Sequence, residues 1–377
     1  LERIFHPVKT FRIFFAPVTL MRIARQLDLS VTTVSRALGG YDDVAPATRA
    51  RVEAEAARIK YQPNRIARQL RGGRSGAVGL VLPTSPGHFD DPFFLRMLAA
   101  VGQNLAAASL DLLVTAAPPG AEELRAYRQL AEHRRVDGML IFRTRRRDDR
   151  ISYLLDRGLP FVAHGRTDER RAYAHLDIDG AAAFRAATER LIGLGHHRIA
   201  MINASDTYMF AHHRRSGWRN ALRGAGLPDG PLEHAEPTEE NGFRLTTALL
   251  ASKLPPSAIV CATDRLAVGA LHAITGAGLR AGRDISVIGY DNLSVATYTD
   301  PPLTTIEQPI ERAATRMVEM LLALIGGADP ASFGEIWPAR LIPRSSDGPF
   351  LSSTADTRGA SRNHLGETHD PRNPPFG

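Results

Sequence analysis

At 377 residues the chain is too long for one small module and suggests two or three domains; 44% apolar and 23% charged residues are ordinary for a soluble globular protein with a sizeable core. A single cysteine, Cys261, excludes an intramolecular disulfide framework, and no run of about 18 apolar residues exists to cross a membrane, which together point to a cytoplasmic protein. The formal net charge of +7 is uneven: residues 1–74 net +8 and the remainder −1, so the basic excess sits at the N-terminal end, as phosphate binding requires.

Leu1 to Pro17 is basic and aromatic, with an apolar run too short and broken for a signal peptide. It reads as an unstructured extension over 1–17, arising from an upstream translation start. Residues 18–61 read as a three-helix module. Leu20, Ile23, Ala24 and Leu27 fall at helical spacing, Asp28-Leu29 breaks the pattern, and Ser30 stands at an N-cap position. A second helix buries Val34, Ala37 and Leu38. Two short helices across a tight turn read as a helix-turn-helix, whose second helix enters the major groove. Its outward residues Val31, Thr32 and Arg36 suit base edges, arginine by a bidentate contact to guanine, while Thr33 and Ser35 suit phosphate oxygens. The bland alternative is a helical hairpin with a solvated polar side. A third helix, Ala47 to Ile59, follows Pro46 and closes the small core with Val52, Ala56 and Ile59. Residues 62–75 read as a short basic helical segment and a Gly-rich joint.

The motifs T-V-S-R-A-L, V-x-P-x-T-R-x-R-V and Y-x-P-N-x-x-A-R-x-L-R, in this order and spacing, resemble the LacI/GalR family of bacterial transcription regulators. The resemblance runs from about Val18 to about Pro343. Asp28, Ala45 and Lys60 depart from it, standing where the family shows a turn glycine, a capping serine and a helix-ending glycine. Asp tolerates the left-handed conformation, whereas Ala45 and Lys60 are expected to cost local stability. The resemblance implies that Asn64 to Arg71 is a hinge helix that orders on operator DNA. In it Leu70 wedges into the minor groove while Arg68 and Arg71 hold phosphates.

From Gly76 apolar strands (Ala77–Leu82, Leu112–Ala116, Met139–Phe142, Pro160–Ala163, Arg198–Ile202, Ala258–Cys261, Ile285–Gly289) alternate with helical patterns, the signature of parallel sheets covered on both faces. About 270 residues of this pattern should form two α/β lobes, making 76–343 a two-lobed effector-binding and dimerisation domain. The resemblance implies a periplasmic-binding-protein-like domain with ligand between the lobes. Loops after strands are the place to look. They carry Asp91-Pro92-Phe93, His164-Gly165-Arg166, Thr263-Asp264 and Asp291; Arg214 and Trp218 stand at the start of a helix. Carboxylates and arginines beside an aromatic face are what a polyhydroxylated sugar needs. The resemblance supports Arg214, Thr263, Asp264 and Asp291 in particular.

Other signals carry less. The pairs His196-His197 and His212-His213 lack metal-ligand spacing, and no metal or cofactor is expected. Gly276-Ala277-Gly278 ends a helix and is no dinucleotide fingerprint. The run Arg143 to Arg150 reads as a solvated loop, and residues 344–377 as a disordered tail. The chain is therefore expected to be an all-α helix-turn-helix domain joined to a two-lobed α/β domain. It would act as a homodimeric repressor on double-stranded operator DNA, answering to a small sugar-like effector. Within the family, P-F-V-x-H-G-R and F-A-x-x-R-R-S-G resemble the branch regulating α-glucoside use. The alternatives are a regulator answering to a purine or another metabolite, and a transport-type sugar-binding protein, against which the basic N-terminal module argues. An enzyme lacks a catalytic constellation.

Overall fold

The computed structural model describes residues 20–61, 74–84 and 91–350. The hinge residues Asn64, Arg68, Leu70 and Arg71, the 1–17 extension and the tail from residue 351 lie outside them. The chain divides into two units at Ser75–Gly76.

The small unit packs α1 (Leu20–Leu27), α2 (Val31–Leu38) and α3 (Pro46–Arg58) around Ile23, Ala24, Val34, Ala37, Val44, Val52 and Ala56. The Ser30 hydroxyl accepts the Thr33 N–H at 3.0 Å, which starts α2 where the sequence places it. Asp28 and Lys60 both adopt left-handed backbone at φ 53°, and Ala45 offers α3 no side-chain cap, so the three departures act locally.

In the large unit the first lobe begins with β1 (Ala77–Pro83), α4 (Pro92–Ala107), β2 (Asp111–Ala117), α5 (Ala121–Glu132), β3 (Gly138–Ile141), α6 (Asp149–Arg157), β4 (Phe161–His164) and β5 (Ala174–Ile178). The second contains α7 (Gly180–Gly193), β6 (Ile199–Asn203), α8 (Met209–Gly224), β7 (Leu232–His234), α9 (Glu239–Leu250), β8 (Ala258–Cys261), α10 (Asp264–Gly276), β9 (Ser286–Ile288), α11 (Val295–Tyr298) and β10 (Thr305–Glu307). The chain then returns to the first lobe for α12 (Ile310–Ile325) and β11 (Gly334–Trp337), and crosses again to β12 (Arg340–Ile342). The first sheet runs β11-β5-β4-β3-β1-β2 and the second β7-β6-β8-β9, every pairing parallel; β10 and β12 form a separate antiparallel pair. Residues on both faces of each sheet are buried, because helices cover both, as the contiguous apolar runs require. No described helix is long and apolar enough to cross a membrane.

Two expectations need correction. Residues 344–350 are no disordered tail. Ser346 exchanges backbone and hydroxyl hydrogen bonds with Val287 and Thr304 at 2.7–2.8 Å, and the buried Asp347 carboxylate accepts from Thr304 and Arg190, each at 2.5 Å. Composition underrated this segment because its stability comes from polar pairing rather than apolar burial. Nor is Arg143 to Arg150 a solvated loop. Glu123, Asp148 and Arg150 are almost fully buried. Arg150 donates to Glu123 at 2.7 Å and to both Asp148 oxygens at 2.8 and 2.7 Å, and Arg145 also pairs with Glu123. Burial pushes the Asp148 carboxyl up, but the Arg150 guanidinium together with Arg145 more than offsets this and holds it below the usual carboxylate range.

Candidate functional site

On the small unit, α2 leaves Val31, Thr32 and Arg36 exposed on one side. The Thr33 hydroxyl lies 2.8 Å from the Ser30 hydroxyl, so it belongs to the cap rather than facing outward freely; Ser35 is half-buried. The Arg36 guanidinium is held by Asp43.

In the large unit a cleft opens between the lobes, outside the carboxyl ends of β1, β4, β8 and β9. From the first lobe come Asp91, Phe93, Phe142, Arg143 and His164; from the second, Phe210, His213, Arg214, Thr263, Tyr290 and Asp291. Asp91 caps α4, accepting the Phe93 N–H at 3.1 Å with one oxygen and Arg143 at 2.6 Å with the other. The His164 ring lies 6.0 Å from Phe93 and 5.8 Å from Phe142; burial pushes its pKa down to about 4, leaving a neutral imidazole whose Nε2 has no protein partner.

Arg214 is placed by close helix packing. A Cβ at Gly217, one turn on, would lie 2.1 Å from the Ala181 carbonyl oxygen, so only glycine lets α8 meet α7 this closely. Arg214 then extends into the cleft, 7% exposed, with its guanidinium carbon 3.8 Å from the Tyr290 ring centroid and 4.6 Å from that of Phe210. Nη1 donates to the Ala262 carbonyl at 2.6 Å, while Nε, like Nε2 of His213, is buried without a protein partner. Beside it, Asp291 takes left-handed backbone at φ 114°, which turns its carboxylate inward. It accepts from Nε2 of Gln308 at 2.6 Å. Burial raises its pKa well above the ordinary value, against the opposing Arg214 charge. Gln308 stands on the crossing between β10 and α12, so the second lobe's carboxylate is tied to an interlobe strap.

Of the residues singled out from sequence, Asp91, Phe93, His164, Arg214, Thr263 and Asp291 meet in this cleft. Three do not line it. Trp218 is fully buried in the second lobe's core among Phe184, Leu222 and Met201, one turn beyond the residues of α8 that face the cleft. Asp264 lies beneath the floor, accepting from Thr305 Oγ1 at 2.5 Å and the Leu293 N–H at 2.7 Å; burial lifts its pKa to about 6. Arg166 stands behind the wall, paired at 2.7 Å with Asp177, which does line the cleft. Sequence reading missed Arg143, Phe210, His213, Tyr290 and Gln308. Tyr290 directly precedes Asp291, and Phe210 and His213 stand within the F-A-x-x-R-R-S-G motif on α8, which begins at Met209. Its cap residue, Tyr208, has no capping side-chain bond; instead the Met209 N–H donates across the cleft to the Thr144 carbonyl at 2.9 Å. The Arg146 N–H answers it, donating to the Thr207 carbonyl at 3.2 Å.

His196 is structural, bonded to Ser257, Ser286 and the Gly348 carbonyl at 2.9–3.0 Å. Among the described residues no group of three or more His, Cys, Asp or Glu is arranged to hold a metal ion.

Residues 19–64 match bacterial regulatory proteins of the lacI family, and residues 188–346 match the periplasmic binding protein-like domain. The HTH-type transcriptional regulator AglR of Rhizobium meliloti (strain 1021) is 37% identical over 339 residues, spanning 88% of this chain and 95% of that protein. The crystal structure of the lac repressor dimer bound to operator and the anti-inducer ONPF superimposes with a TM-score of 0.78 at 27% identity, over 88% of this chain and 99% of that one. The transcriptional regulator CelR–cellobiose complex does so at 0.67 and 29%, over 87% and 99%. A helix-turn-helix followed by a two-lobed parallel α/β unit, matched over nearly its whole described length, places this chain in the LacI family of bacterial transcriptional regulators.

Proposed function

We propose that the chain is a repressor that binds a near-palindromic operator as a dimer, and that a neutral sugar held between its lobes changes its operator affinity. The observation that carries the ligand reading is Arg214 beside Asp291. A fixed guanidinium fork with an unpartnered buried Nε stands next to a carboxyl group, opposite the Phe93 and Phe142 rings. Arginine donates and the carboxyl group accepts from adjacent hydroxyls, while the rings pack on the apolar face of a pyranose. Arg143 pairs with Asp91 and Asp177 with Arg166, His164 is neutral, and the Arg214 cation stands against the Tyr290 and Phe210 rings beside the Asp291 carboxyl. This supports an uncharged ligand over a phosphorylated one. The cellobiose of the CelR complex is a ligand of that kind. No chemical step is part of the reading; the chain acts by binding.

On the DNA side, the exposed face of α2 supports Arg36, Val31 and Thr32 as base readers. One such helix contacts too few bases for genomic specificity, so two subunits on a two-fold site are required. Thermal-shift screening with neutral mono- and disaccharides, sugar phosphates and purines tests the ligand class. A rise in melting temperature with a neutral sugar alone is expected. A rise with a sugar phosphate or a purine, and none with neutral sugars, overturns it.

A further inference from the structure

The turn after α2 is built around the outward arginine of that helix. Gly40 takes left-handed backbone at φ 76°, reversing the chain. The Tyr41 N–H then donates to the Arg36 carbonyl at 3.2 Å, and the Tyr41 carbonyl accepts from Val44 N–H at 3.3 Å and Arg49 Nη2 at 2.6 Å. Val44 is buried in the three-helix core, so the turn is fixed at both ends. Two side chains from it close on Arg36. The Tyr41 ring centroid lies 5.1 Å from the guanidinium carbon, and the Asp43 carboxylate takes the guanidinium side-on, Nε to Oδ1 at 3.1 Å and Nη2 to Oδ2.

The geometry decides what remains available. A guanidinium has five N–H groups in a fixed plane. Side-on pairing uses the Nε–H and one Nη2–H, leaving both Nη1–H groups and the second Nη2–H. One from each terminal nitrogen forms the end-on fork that fits O6 and N7 of guanine. Asp43 and guanine can therefore hold the same arginine at once. The pair is an implausible stability device, since its side chains are 46% and 54% exposed and such pairs contribute little to folding.

We infer that Asp43 is a positioning residue for base reading: it holds Arg36 in the plane and direction from which the end-on fork meets a guanine. This rests on α2 being the base-reading helix. Two effects of opposite sign follow. Fixing the guanidinium before binding removes ordering cost from the guanine contact. The carboxylate's own charge opposes binding to any phosphate backbone, whatever its sequence. Only the first raises the ratio of specific to non-specific affinity; the second lowers both affinities alike.

The test is a double-mutant cycle on the full chain, with Asp43→Ala, Arg36→Ala and the double variant. Affinity is measured by fluorescence anisotropy on a duplex selected by the wild-type chain from a random pool and on a scrambled duplex. Asp43→Ala is expected to lower the selected-to-scrambled ratio by about 2- to 12-fold per half-site and to relax the base preference at one position. Asp43→Asn, which keeps an acceptor for Arg36, should retain part of that ratio. In the Arg36→Ala background, Asp43→Ala should leave the ratio unchanged. An unchanged ratio for Asp43→Ala, or an equal fall in both backgrounds, overturns the inference while leaving α2 as the reader. Full selectivity in Arg36→Ala alone overturns the base-reading assignment itself.

Discussion

Replacing Arg150 by methionine removes one cation from a place where two carboxylates depend on it. Arg150 is 2% exposed and meets Glu123 and both oxygens of Asp148, with a further bond from Nη2 to the Arg143 carbonyl at 3.1 Å. Methionine matches the length of the stem but leaves Asp148 with only the backbone N–H groups of residues 145 and 150, and Glu123 with the Arg145 side chain. Breaking a buried ion pair from one side costs about 3–5 kcal/mol, because the remaining charge stays desolvated. The sign of the pH dependence should change as well. In the wild type the Asp148 pKa is lowered, so its contribution is present at neutral pH and is lost as pH falls through its folded value. Without Arg150, burial is left to raise that pKa, so the penalty is present at neutral pH and relieved by protonation in acid. Urea unfolding of both chains at pH 7.5 and about pH 4.5 reads this directly: a deficit of about 3–5 kcal/mol at the higher pH that shrinks at the lower. A deficit under about 1 kcal/mol, or one that grows in acid, would refute the cluster as described.

Three further outcomes are expected. Met209→Pro removes the N–H that reaches Thr144 across the cleft, at a first-turn position where proline fits a helix; Met209→Ala keeps it. Sugar affinity by calorimetry should be about 2- to 12-fold weaker in the proline variant than in the alanine one, the worth of one hydrogen bond, and equal affinities would count against an interlobe clasp. Asp264, raised by burial to about 6 from an unfolded value of about 3.9, contributes stability that is complete below about pH 4 and lost as pH rises through 6. Asp264→Asn, whose amide can donate to Thr305 while its oxygen keeps the Leu293 N–H, should therefore gain on the wild type by about 2 kcal/mol between pH 4.5 and 7.5; parallel stability curves would refute this. Leu70→Ala, on the sequence resemblance, should weaken operator binding far more than binding to random DNA, since only a kinked step accepts the side chain, and equal losses would make Leu70 a plain linker residue.

The features legible in sequence were those that local rules write. Ser30 and the apolar spacing of Leu20 to Leu38 place two helices because capping and burial are decided within one or two turns. Runs such as Ala258–Cys261 read as parallel strands because nothing in them can face water. What failed was decided by distant partners. Arg150 looks solvated beside its neighbours, yet Glu123 from another helix neutralises it. The strand Ala174–Ile178 carries His175 and Asp177 and so lacked an apolar run, although Leu176 and Ile178 are buried. Trp218 and Arg214 stand one turn apart on α8, and only the packing against α7 decides that the arginine faces the cleft and the tryptophan the core. The Arg36–Asp43 pair was invisible for the same reason: seven residues separate the partners, and the turn that joins them is set by tertiary contacts at Val44 and Arg49.

The account turns on whether a ligand in the cleft alters operator affinity through Arg214 and Asp291. Since a ligand shifts a conformational balance only by its difference in affinity for the two states, removing its contacts should uncouple the switch without harming the helix-turn-helix. The decisive measurement is operator affinity of the wild type, Arg214→Ala and Asp291→Ala, each with and without the neutral sugar that raises the wild type's melting temperature. The account predicts a change of about 5- to 150-fold in the wild type and none in either variant, with ligand-free affinities alike in all three. A full ligand response in both variants would contradict it.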